Sequence, residues 1–315
     1  MVRTTKTLIA ALALGALAAG PALSAEPESC KEVSFSDVGW TDITSTTAAT
    51  TLVLDALGYQ TNVKVLSVPV TYASMANNDI DVFLGNWMPT MEADVAKYRD
   101  DGSVSILGVN LEGAKYTLAV PQYTFDAGLQ NFGDIAQFRD QLAATIYGIE
   151  PGNDGNRLIL DMIEGDAFGL KGFKLVESSE QGMLAQVARA VNRKEHVVFL
   201  GWEPHPMNAN FEMAYLAGGD DYFGPDFGGA TVYTNTRANY VEECPNVGKL
   251  LGNLTFTLAM ENEIMGAILD DGKEPRDAAS AWLKANPGVL DGWLAGVTTF
   301  DGGDAMAAVK GTLGL

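Results

Sequence analysis

Two stretches of this 315-residue chain decide its fold: Val82-Phe83-Leu84-Gly85-Asn86-Trp87-Met88-Pro89 and Val198-Phe199-Leu200-Gly201-Trp202-Glu203-Pro204. Each opens as an apolar run of strand length and breaks at a glycine, with a tryptophan and a proline close behind. They lie about 115 residues apart, too far for a solenoid repeat and about the distance from one lobe to the next. Outward from them, strands and helices alternate. A strand over 33–38 ends in Gly39-Trp40, and Thr41 with Asp42 opens a helix toward Leu57-Gly58. Further strands are expected over 63–70, 81–84, 103–109, 115–120, 145–149, 173–176, 197–200 and 231–234. Helices are expected over 72–77, 132–141, 154–164, 180–191 and 247–258, with helical segments to the C-terminus. This alternation marks an α/β fold. Open α/β sheets bind ligands outside the carboxyl ends of their strands, so two lobes that each carry a tryptophan there can close on something between them.

Composition narrows the partners. Hydrophobic residues make up 47% and charged residues 19%, which supports a substantial core. Lys and Arg number 20 against 40 Asp and Glu, a net charge of −20. Residues 1–25 hold two of the cations and no acid, so the remaining 290 residues carry 18 against 40, or −22. That surface repels phosphate backbones and anionic lipid heads, which excludes nucleic-acid binding and polybasic membrane attachment. Two histidines and two cysteines leave little material for a metal cluster; neither a metal nor a cofactor is expected.

Residues 1–25 read as a cleaved signal peptide. Arg3 and Lys6 give a charged start, 7–19 an uncharged Ala/Leu-rich run, and Ser24-Ala25 a small-residue site before Glu26. The run is short for a span of about 20 residues, and the neighbours of Cys30 do not fit a lipidated cysteine. The expectation is a soluble exported protein in a bacterial periplasm. In that compartment Cys30 and Cys244, the chain's only cysteines, are expected to form a disulfide; the alternative is two buried free thiols.

Trp40, Trp87 and Trp202 all fall just past strand ends, next to a glycine or one residue from it, whereas Trp282 and Trp293 read as packing residues of the C-terminal helices. Any one tryptophan is ordinarily packing. Three in the same topological place suggest a cluster of indole faces, which attracts a cation, and a quaternary ammonium above all, at about 0.5–2 kcal/mol per face. Asp42 is either a first-turn acid at a helix start or an acceptor beside that cluster. Asn153, in Pro151-Gly152-Asn153-Asp154-Gly155-Asn156, is either a cap or a ligand contact. Tyr116 alone reads as core. His205, in Pro204-His205-Pro206, has no serine or cysteine partner in sequence and no Gly-x-Ser-x-Gly elbow accompanies it, so nucleophilic catalysis has little support. A two-carboxylate glycosidase is the remote alternative.

The leader, the paired strand–Gly–Trp–Pro segments and the terminal cysteines together resemble the periplasmic substrate-binding proteins of quaternary-ammonium ABC transporters. Within that family the chain looks like the choline binders of rhizobial bacteria. Phe-Leu-Gly-Asn-Trp-Met-Pro at 83–89 and Phe-Leu-Gly-Trp-Glu-Pro-His at 199–205 carry the resemblance. It implies a two-lobed periplasmic binding protein fold of type II, each lobe a mixed β-sheet flanked by helices, with two hinge crossovers. The implied division is lobe I over 26–114 and 212–315, and lobe II over 115–211. The implied cage is Trp40, Trp87, Tyr116 and Trp202, with Asp42 and Asn153 as polar contacts and Asn153 placed at choline's hydroxyl. The implied partners are choline and a membrane permease, the implied state a monomer, and the implied role delivery rather than catalysis. His205 keeps glycine betaine and proline betaine open, because betaine binders of related type use a histidine from this stretch; Asp42 favours choline by repelling a carboxylate.

Overall fold

The computed structural model describes residues 26–315 together with Met1, so the expected leader lies, but for Met1, outside the described residues. Strands β1 (Glu32–Asp37), β2 (Gln60–Val65) and β3 (Val82–Met88) alternate with helices α1 (Thr41–Ala56) and α2 (Val68–Ala76), and α3 (Glu92–Asp100) follows. β1 pairs in parallel with both β2 and β3, the pairing that a helical crossover permits. Next come β4 (Val104–Pro121), α4 (Gln122–Asp126), β5 (Thr145–Tyr147), α5 (Asp154–Glu164), β6 (Lys174–Val176), α6 (Glu180–Arg193), β7 (Phe199–Glu203), β8 (Met213–Tyr215) and β9 (Gly229–Arg237). The strands form one mixed sheet in the order β2-β1-β3-β9-β4-β7-β5-β6, with β8 added along β4.

The long strand β4, 18 residues, joins the lobes. Its first part pairs antiparallel with β9, and from Lys115 onward it pairs with β7 and then β8. Helices Pro245–Asn253, Leu258–Leu269, Pro275–Ala285 and Ala305–Leu313 follow β9, and the last three pack on α1. Helix α1 is rich in threonine yet almost wholly buried. Its hydroxyls bond back into the helix: Ser45 to the Thr41 carbonyl at 2.6 Å and Thr50 to that of Thr46 at 2.8 Å, so burial strands few donors. Among the described residues no helix is long and apolar enough to cross a membrane.

Several elements differ from their sequence reading. The strand expected over 63–70 stops at Val65, because Ser67 and Pro69 start helix α2 with proline in its first turn. The two strands expected over 103–120 are one; Gly113 lies within it at φ +77°, and the register shifts there are absorbed without breaking the pairing with β9. The helix expected over 132–141 is a 3₁₀ turn, Phe132–Phe138, and that expected over 247–258 ends at Asn253.

Candidate functional site

Trp40, Trp87, Tyr116 and Trp202 line one cavity together with Asp42, Ile149, Asn153 and Asp154. All six residues singled out in the sequence therefore meet; Ile149 and Asp154 were not foreseen. Trp40 and Asp42 come from the start of α1 and Trp87 from β3, while Tyr116 lies on β4, Asn153 and Asp154 at the start of α5, and Trp202 on β7. Trp40 follows the Gly39 turn and occupies the N-cap position of α1; Trp87 ends β3 opposite Val232 of β9. Tyr116 and Trp202 are direct cross-strand partners on β4 and β7, so their rings emerge on one face. Tyr116 meets Trp87 with centroids 6.0 Å apart at 62° and Trp202 at 6.4 Å and 80°, steep angles that set the rings on different walls. None of the four is more than 5% exposed.

Two glycines make room for this arrangement. A Cβ on Gly155 would stand 2.1 Å from the Tyr116 hydroxyl, which donates to Asn153 Oδ1 at 2.8 Å. Gly228, at φ +71°, passes so close that a Cβ would stand 2.0 Å from the Tyr116 carbonyl oxygen.

The polar walls are acidic. Asp42 is buried in the first turn of α1; its Oδ2 accepts the Trp87 indole N–H at 3.2 Å, and its Oδ1 has no partner. Burial, with the nearby charge of Glu180, pushes this carboxyl up to about 8. Asp154 is buried in the first turn of α5, with Oδ1 accepting Asn153 Nδ2–H at 3.1 Å, and burial pushes it up to about 6. Glu150 accepts the Trp40 indole N–H at 2.7 Å and is pushed up to about 7 by burial, against that bond. Glu261, on the helix Leu258–Leu269, is held well above the carboxylate range by burial and by Asp42. Among the described residues no lysine or arginine lines the cavity. A buried carboxylate oxygen without a donor is costly, so this wall calls for a positive charge or a hydroxyl from the occupant.

Asn153 is the cap of α5 and also lines the cavity: Oδ1 accepts Asn156 N–H at 3.0 Å and the Tyr116 hydroxyl, while Nδ2 donates to Asp154. His205 does not enter the cavity. It packs behind Trp202 with ring centroids 4.9 Å apart, Nδ1 accepts the Met207 N–H at 2.9 Å, and Nε2 faces Glu180. Both ring nitrogens are engaged, so the betaine-type contact held open for this histidine is not available here. Trp282 and Trp293 lie outside the cavity, with indole N–H groups on Glu263 and on the Thr255 carbonyl.

A two-lobed mixed sheet with an aromatic and acidic cavity is the architecture of an extracytoplasmic substrate-binding protein. The chain belongs to the OpuAC family, the substrate-binding domain of ABC-type glycine betaine transport systems, whose model matches residues 31–285. It is similar to an ABC-transporter choline-binding protein solved in complex with choline, 67% identical over 91% of this chain and 100% of that one, with a TM-score of 0.91. A choline-binding protein in an unliganded semi-closed conformation matches at the same identity and coverage with a TM-score of 0.84. Lactococcal OpuAC, closed on glycine betaine, is 27% identical over 84% of this chain and 99% of that one, with a TM-score of 0.76.

Proposed function

We propose that this protein binds choline in the cavity between its lobes and presents it to the permease of an ABC importer. The unpartnered Oδ1 of Asp42, on a wall shared with three indoles and a tyrosine, carries the reading. The aromatic faces suit a trimethylammonium head, the acid suits its charge, and the unpartnered Asp42 Oδ1 suits the hydroxyl end, with Asn153 beside it. The solved choline complex, at 67% identity, supports it. Glycine betaine remains the second reading on the strength of the family and the lactococcal complex. Titration calorimetry with choline and glycine betaine decides, and recovery of unchanged choline afterwards separates binder from hydrolase. Choline is expected to bind more tightly; tighter betaine binding would overturn the assignment and leave the cage standing.

In the same reading the protein works as a monomer, exported by a leader over 1–25 with the mature chain beginning near Glu26. The lobes divide at 114/115 and at 228/229. The second boundary is placed there, later than 211/212, because β8 pairs with Ala119–Pro121 and Phe223 packs on Tyr116 and Phe132.

Asp42 gives this reading a pH signature. Its carboxyl, facing Trp87 from β3, Glu180 from α6 and Glu261 from the helix Leu258–Leu269, titrates near 8 without a ligand. A bound cation lowers that value, so binding releases a proton. Choline affinity should therefore rise with pH up to about 8 and level off above it, by at most about tenfold per pH unit. Asp42→Asn should remove the slope, weaken choline by about 1–2 kcal/mol and narrow its lead over betaine. A flat profile in the wild type, or an unchanged choline-to-betaine ratio in the variant, would reduce Asp42 to a helix-start acid.

A further inference from the structure

Glu180 stands one layer behind the cavity, where the two lobes meet through buried polar atoms. Its Oε2 accepts the Thr41 N–H at 2.8 Å, and its Oε1 accepts the Thr41 hydroxyl at 2.5 Å. Oε1 also lies 3.2 Å from His205 Nε2; because Nδ1 of that ring accepts from Met207, the proton sits on Nε2 and is donated to Glu180. Both side chains are essentially unexposed. Thr41 belongs to lobe I and lies between Trp40 and Asp42, while His205 belongs to lobe II and backs Trp202. Helix α1 has no side-chain cap of its own, since its N-cap residue is Trp40. Glu180 therefore caps α1 from across the cleft, and this contact exists when the lobes are closed.

The charge of Glu180 reaches the cavity wall: it raises Asp42 and also acts on Asp37 and Glu150. Closing over an empty cavity gathers these acids with no cationic side chain on the cavity wall, whereas closing over a cation balances them. A zwitterion brings its own carboxylate and balances them less well.

We propose that Glu180 is a positioning and specificity residue of the ligand site, docking the helix that carries Trp40 and Asp42 upon closure and favouring a net cation over a zwitterion. It rests on the quaternary-ammonium reading above. A purely structural Glu180 would change the affinity of both ligands by one factor; the proposed role changes their ratio.

The test titrates choline and glycine betaine against wild type, Glu180→Gln and Thr41→Val, each checked for cooperative thermal unfolding. Glu180→Gln removes the charge and is expected to weaken choline roughly thirtyfold while contracting the choline-to-betaine ratio by roughly fivefold or more. Thr41→Val removes one hydrogen bond, keeps the charge, and should weaken both ligands alike by roughly fivefold. If Glu180→Gln does not fold, Glu180→Met, which places no polar atom in a similar volume, makes the same comparison. A ratio unchanged on loss of the charge, in a wild type that binds choline, overturns the proposal alone. A wild type that binds neither ligand overturns the choline reading and the proposal with it.

Discussion

Replacing Cys30 and Cys244 together by serine is expected to lower the stability of the protein by about 3–5 kcal/mol and to leave choline affinity within about twofold of wild type. The bridge closes a loop of 214 residues, long enough for the loss of chain entropy in the unfolded state to be near its upper range. Both cysteines are buried, Cys30 just before β1 and Cys244 just after β9, two strands that both neighbour β3, so the bond lies away from the cavity residues. Other contacts hold the same seam: Glu26 accepts the Asn246 N–H at 3.0 Å, and Asn246 donates to the Thr298 carbonyl at 2.8 Å. These keep the serine variant folded and assign the loss mainly to the unfolded chain. Urea denaturation of both proteins without ligand measures the difference, and thiol titration of unfolded wild type should find no free thiol. A midpoint shift worth less than about 1 kcal/mol would show that the seam, not the bridge, carries the stability. A large loss of affinity would show that the bridge shapes the cleft.

The three tryptophans of the cavity were legible locally, whereas Tyr116 read as core and joined them only through the family resemblance. An apolar strand that ends in glycine and then spends a tryptophan beyond the sheet is unusual, and two such segments, with Trp40 after β1, mark one place in the fold. Asn153 was legible because a strand–turn–helix junction needs a cap, and here the cap also receives Tyr116. The acids around the cage were not legible, for the opposite reason. Glu180 follows Ser179, whose hydroxyl caps α6 by accepting the Gly182 N–H at 3.1 Å, so it looks like any first-turn acid. Its partner, Thr41, is 139 residues away. Asp154 and Glu150 are hidden in the same manner beside a turn. Segment 212–228 has only a three-residue strand and brief helical turns, too little periodicity for the sequence to say which strands they join. Local chemistry names candidates; which acid faces which helix is settled by tertiary contact alone.

Trp87→Ala is expected to weaken choline binding by about 3–4 kcal/mol, more than any other single change in the cage. The indole contributes a face to the cation, worth about 2 kcal/mol where water is excluded, and the burial of a large apolar wall. It also donates its N–H to Asp42 Oδ2, so truncation leaves both oxygens of a buried carboxyl without a partner. That second loss pushes Asp42 further toward its protonated form and removes part of the charge that attracts the ligand. Trp202→Ala, whose ring packs on His205 and Tyr116 and holds no acid, should cost less, about 2 kcal/mol. The order of the two variants therefore tests the coupling between cage and acid, beyond the existence of the cage. Trp282→Ala serves as the control: its indole bonds Glu263 on the far side of lobe I, so thermal stability should fall while affinity holds. Choline titrations of the three folded variants give the result. Trp87→Ala with wild-type affinity would remove the cage, and equal losses for Trp87→Ala and Trp202→Ala would leave the cage but sever Asp42 from it.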